Sequence, residues 1–147
     1  MLKKILISAL LTVVSVTSVA AEEVRHEVGE SIKVWTGNEG VKVITLRYGK
    51  LAEDKALVQI VNADHAWDNK IQLMDVEKKG ERRDYSVKVD GKKYVALVMT
   101  NYNYGELYLP GENASRPIGY NQSLSEEGKP QHFLTAYEQQ QEGQTGQ

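Results

Sequence analysis

The densest collection of side chains suited to molecular recognition lies in residues 101–122. Tyr102, Tyr104, Tyr108 and Tyr120, half of the chain's eight tyrosines, fall there among Asn101, Asn103, Asn113, Asn121, several glycines and Arg116. Tyrosine gives a large rigid contact with a polar tip, while Asn, Ser and Gly adapt their hydrogen bonds. Arg116 adds a residue type common at binding hot spots. The segment is expected to bind through Tyr102, Tyr104, Tyr108, Arg116 and Tyr120. Trp67, in the loop-like run 62–69, is a further binding candidate whose indole can stack with the tyrosines on sugar faces. The competing expectation is that the alternating tyrosines of 104–108 pack on the domain and the rest is plain connection.

Catalytic chemistry has a thinner basis. The three histidines, His26, His65 and His132, sit in separate segments. Asp64 and Asp68 flank His65, and imidazole with carboxylate suits Zn or Cu(II), but the spacing matches no ligand pattern. No metal site is expected. There is no G-x-S-x-G elbow, and Ser115, Ser123 and Ser125 lie in loop-like sequence with no histidine nearby. Glu106, Glu112, Glu126 and Glu127 are available as a carboxylate pair for glycoside hydrolysis, yet such a pair is set by space rather than sequence. No glycine-rich phosphate loop precedes a helix, so no nucleotide and no other cofactor is expected. The chain reads as a non-enzyme. Asn113-Ala-Ser115 and Asn121-Gln-Ser123 match the glycosylation sequon, which in a bacterial protein is a chance match.

Composition bounds the setting in which such residues act. Lys3 and Lys4 precede a mostly apolar run over 5–19, softened by Ser and Thr, then Ala20-Ala21 and the abrupt Glu22-Glu23. That is the layout of a bacterial secretory signal peptide over 1–21, cut after Ala20 or Ala21, which points to the periplasm or secretion. The run is short and hydroxyl-rich beside the roughly 20 apolar residues of a spanning helix. No cysteine is present, which excludes disulfides, thiolate metal sites and cysteine nucleophiles. The full chain carries 18 Lys+Arg and 20 Asp+Glu; without Lys3 and Lys4 the balance is 16 against 20, a net charge of -4. A nucleic-acid binder would want a basic face, and the basic cluster Lys78, Lys79, Arg82, Arg83 is interleaved with Glu77, Glu81 and Asp84. The mature length, about 125 residues, suffices for one core.

The elements that must position the candidates read as strands. Alternation at Ile32, Val34 and Thr36 precedes the turn Gly37-Asn38-Glu39-Gly40. Residues 41–48 follow, with Ile44, Leu46 and Tyr48 on one face and Val41 and Val43 making the other apolar, the pattern of a strand buried on both sides. Runs at 56–61, 71–77, 85–89 and 92–99 come next. Asp90-Gly91 predicts a two-residue type I′ hairpin pairing Val89 with Lys92, Val87 with Tyr94 and Tyr85 with Ala96. A short strand over 105–109 ends at Pro110-Gly111. Residues 22–30 are expected to fray and 112–130 to form loop. Residues 131–139 read as a last strand or a single helical turn, and 140–147 as a disordered polar tail; no helix longer than about two turns is expected.

These signals predict an all-β protein: a single small antiparallel β-sandwich or barrel of seven or eight strands over 22–139. No family's motif stands in the sequence, so no residue role comes from resemblance. The functional expectation is an exported binding protein, an inhibitor or immunity-type protein, acting on another macromolecule through 101–122 as a monomer or weak dimer. The alternative is a small-ligand or glycan-binding module, and behind it a small hydrolase.

Overall fold

A computed structural model of the chain describes residues 26–145. The leader expected over 1–21 and its cleavage site lie outside the described residues. Eight strands are present: β1 (Lys33–Gly37), β2 (Lys42–Arg47), β3 (Lys55–Val61), β4 (Ile71–Lys79), β5 (Arg82–Val89), β6 (Lys92–Met99), β7 (Tyr104–Leu107) and β8 (Arg116–Tyr120). Each pairs antiparallel with the next and β8 returns to β1, closing a barrel and leaving no sheet edge. The all-β expectation holds in its barrel form.

The barrel interior is filled by one face of each strand. Trp35, Val43, Ala56, Val58, Ile60, Met74, Tyr85, Leu97, Met99, Leu107 and Ile118 make this core. The opposite face of β1 to β4 is apolar as well, through Val34, Leu46, Leu57 and Ile71. A second layer explains it. Two helices follow the barrel, α1 (Gln122–Glu127) and α2 (Pro130–Thr145), and Phe133 and Leu134 of α2 bury themselves against that outer face. The double-sided apolar pattern of 41–48 therefore marks a strand between the interior and a helix.

Four sequence expectations are corrected here. Residues 112–130 are not loop: they contain β8 and α1. Pro117 and Gly119 hide the strand, but Pro117 lies just outside the β1–β8 ladder, whose last pair is Gly37↔Ile118, so its missing N–H removes no bond to β1. Residues 131–139 are neither strand nor a single turn but the body of a 16-residue helix. Its start at Pro130 suits a residue with no N–H to leave unpaired. The helix runs on through Thr145, past the expected start of a disordered tail at 140. Gln140 fastens it: its side-chain oxygen accepts from the Ile71 N–H at 2.9 Å and its amide donates to the Ile71 carbonyl at 2.8 Å. The expected fraying of 22–30 also fails for its described part, because Gly29 N–H donates to the Arg47 carbonyl at 2.9 Å and Gly49 N–H to the Glu27 carbonyl at 2.6 Å.

The Asp90-Gly91 turn has positive φ at both residues, 52° and 77°, as a type I′ turn requires. Val89 pairs with Lys92 and Val87 with Tyr94 as expected. Tyr85 pairs with Leu97 rather than Ala96, because a bulge leaves Ala96 unopposed. The bulge resets the alternation, so Tyr94 at one end of β6 and Leu97 and Met99 at the other all reach the same interior.

Candidate functional site

The two ends of the barrel differ. One is built from the β1–β2, β3–β4, β5–β6 and β7–β8 connections, and it is plugged. Ala63 and Leu109 are fully buried there, and Trp67 and Tyr94 pack beneath them edge to face, ring centroids 5.9 Å apart. Asp68 organises the plug by accepting from the Ala63 N–H at 2.7 Å and the His65 N–H at 3.3 Å. Those backbone donors, Ala63 first, hold its carboxyl below the usual carboxylate range. His65 Nδ1 accepts from the Trp67 N–H at 3.0 Å, so Nε2 carries the proton donated to the Pro110 carbonyl at 2.8 Å. Arg116 completes the clamp. It grips Glu112 with two nitrogens, at 2.9 and 2.7 Å, and donates to the Ala63 carbonyl at 2.9 Å. Its hydrogen bond with Glu112 raises the guanidinium pKa and lowers that of the carboxyl.

The opposite end is open. The interior is not filled there, and a cavity of about 210 Å³ lies between the strand ends. Its walls hold Thr45, Ala56 and Tyr85, all buried, with the half-buried Val76 and the exposed Leu51 at the lip. Five cations reach it: Lys33, Arg47, Lys55, Lys78 and Arg83, against a single acid, Asp54. Three are neutralised. Arg47 meets Glu27 at 3.5 Å, Lys55 meets Asp75 at 2.9 Å, and Lys78 meets Asp54 at 3.5 Å. Among the described residues Lys33 and Arg83 have no carboxylate partner. They stand on β1 and β5, four strands apart around an eight-stranded barrel, and so approach from opposite walls. Burial, and then the nearby Arg83 charge, lower the Lys33 ammonium pKa. Burial raises the Tyr85 phenol, with Arg83 opposing it.

The six binding candidates do not form one surface. Tyr102 and Tyr104, 72% and 66% exposed, stand beside the open end. Tyr120 joins them at 39% exposure, its ring edge-on to Trp35 at 5.4 Å and its N–H donating to the Asn103 carbonyl at 2.8 Å. Arg83 sits 5.7 Å from the centroid of the Tyr102 ring and links this group to the mouth. Tyr108 is on the outer wall, its hydroxyl donating to Glu106 at 2.6 Å. Arg116 and Trp67 belong to the plugged end. Sequence reasoning passed over Lys33 and Arg83: only barrel closure brings residues 50 positions apart to one mouth.

The remaining chemical candidates scatter. His26 stacks on Tyr48 at 4.9 Å, His65 serves the plug, and His132 is exposed on α2. Among the described residues no three His, Asp or Glu side chains gather as metal ligands. Ser125 is not in a loop but buried in α1, where its Oγ accepts from the Val34 N–H at 2.8 Å and donates to the Asn121 carbonyl at 2.7 Å. Glu106, Glu112 and the pair Glu126 and Glu127 lie on three different segments. No helix among the described residues is long and apolar enough to cross a membrane. No protein family, curated protein or solved structure matches the chain.

Proposed function

We propose that the protein is an exported, periplasmic binding protein that engages another macromolecule, in the manner of an inhibitor or immunity protein, through the tyrosine group at its open end. One observation carries this reading. Among the described residues, Tyr102, Tyr104 and Tyr120 are three of the five large apolar or aromatic side chains that stand exposed, and they share one end of the barrel. Rigid aromatic rings with polar tips are what interface hot spots are made of. Tyr108, Arg116 and Trp67 drop out of the contact set, since each serves the wall or the plug.

The test is a double substitution, Tyr102→Ala with Tyr104→Ala, in the mature domain used as bait against periplasmic extract. Both rings are mostly in water, so the variant is expected to melt within about 0.5 kcal/mol of the parent while losing capture of the partner. Normal melting with undiminished capture refutes the tyrosine surface.

A further inference from the structure

We propose that the open mouth of the barrel binds an organic oxyanion, a carboxylate or phosphate ester on a small apolar body, held by Lys33 and Arg83 with the hydroxyls of Thr45 and Tyr85 beneath them. The inference stands apart from the tyrosine surface, because its residues line the cavity rather than the rim.

Four observations converge. The first is charge: of the five cations at the mouth, Arg47, Lys55 and Lys78 have acidic partners and these two have none among the described residues. The second is position. Both are half-buried and come from opposite walls, where two like charges repel, and desolvation with that repulsion already disfavours the Lys33 ammonium. An anion between them would relieve that repulsion. The third is the pair of hydroxyls. Thr45 and Tyr85 are 4% and 5% exposed, both line the cavity, and neither hydroxyl has a protein partner among the described residues. Each can donate to an oxyanion. The fourth is the wall: Ala56, Val76 and Leu51 offer an apolar body somewhere to lie, and about 210 Å³ suits a small one. The forked donors of Arg83 match the edge of a carboxylate or phosphate.

The oxyanion can belong to a free small acid or to an acidic side chain of a partner. The experiment is a ¹H–¹⁵N titration of the mature domain with benzoate, with phenyl phosphate, with the neutral isostere benzamide, and with the blocked tripeptide acetyl-Gly-Glu-Gly-amide. Saturable shifts at Lys33, Thr45, Arg83 and Tyr85 with benzoate or phenyl phosphate, and none with benzamide, are expected. Lys33→Gln and Arg83→Gln should each weaken binding at least tenfold, while Lys88→Gln on the exposed face of β5 leaves it unchanged. Lys33→Gln should melt no lower than the parent, since it removes one of two repelling charges, and Thr45→Val tests the hydroxyl separately. Shifts with the tripeptide alone would support the site and assign the anion to a partner chain. Equal response to benzamide, or shifts spread over Lys88, Lys92 and Lys93 instead of the mouth, would overturn the proposal. Its failure leaves the capture experiment with the tyrosine variant untouched, and the reverse is equally true.

Discussion

Leu134→Ala is the sharpest test of the second layer. Leu134 is fully buried and sits with Val34, Leu46, Leu57 and Ile71 in the apolar seam between α2 and the outer face of the barrel. Removing its side chain forfeits the transfer energy of the lost carbons and leaves a cavity, together about 2–5 kcal/mol for buried leucines. The upper half of that range applies if the seam cannot close. Gln140 pins the helix to Ile71 one and a half turns further on, and Pro130 fixes its start, so α2 is not free to slide into the gap. A loss of about 3–4 kcal/mol is expected, near 10–20 °C in Tm for a domain of this length. Urea unfolding followed by circular dichroism measures it, with the exposed Gln139→Ala as control, expected within about 0.5 kcal/mol of the parent. A Leu134→Ala protein that unfolds at the parent's midpoint would show α2 undocked, and the account of why β2 is apolar on both faces would fall with it.

Gly91→Val should cost roughly 1–3 kcal/mol. No atom lies within 4 Å of its Cβ position, so the entire loss measures the resistance of a β-branched residue to φ near 77°, and an unmoved denaturant midpoint would mean a different turn. Asp84 accepts from Arg82 at 2.8 and 3.2 Å, and that hydrogen bond, with Lys79 beyond it, holds its carboxyl below the ordinary value despite burial. A lowered folded pKa stabilises above the unfolded value, about 3.9, and the contribution disappears as pH falls through the folded one. Asp84→Asn should therefore flatten the acid limb of a plot of Tm against pH below about 4; equally steep limbs in both proteins would remove Asp84 from the account. Expressed with its leader in a Gram-negative host, the protein should yield a periplasmic species beginning at Ala21 or Glu22 by intact mass. A mass retaining residues 1–20 would refute cleavage.

The sequence disclosed what local chemistry decides. Asp90-Gly91 names its own turn, because few residues tolerate two successive positive φ values, and the alternating runs of β2, β5 and β6 announce strands. What stayed hidden depends on partners distant in the chain. β8 reads Arg-Pro-Ile-Gly-Tyr, which carries no strand signal on its own and exists because β7 and β1 pair with it on either side. The α2 stripe is only Phe133, Leu134 and Tyr137 followed by glutamines; it is a helix because a ready-made apolar face awaits it, and tertiary burial outweighs its weak amphipathicity. The bulge that leaves Ala96 unopposed has no local mark at all.

The same reasoning separates the two kinds of polar residue in this molecule. Arg116, His65 and Asp68 looked like site chemistry because of their types, but the bonds they make are spent inside the plug, on Glu112, Pro110, Trp67, Ala63 and one another's backbone. Lys33 and Arg83 looked like surface lysine and arginine, yet among the described residues they are the cations left over when the ion pairs of the mouth are counted. A saturated polar group holds a fold together and has nothing further to offer a ligand. An unsaturated one, half-buried and facing a like charge, keeps its donors free for an anion. At the plugged end the strong polar contacts are spent on the fold, while at the open end Lys33 and Arg83 are left without a carboxylate among the described residues, which is the arrangement expected if the open end is the one that meets a ligand.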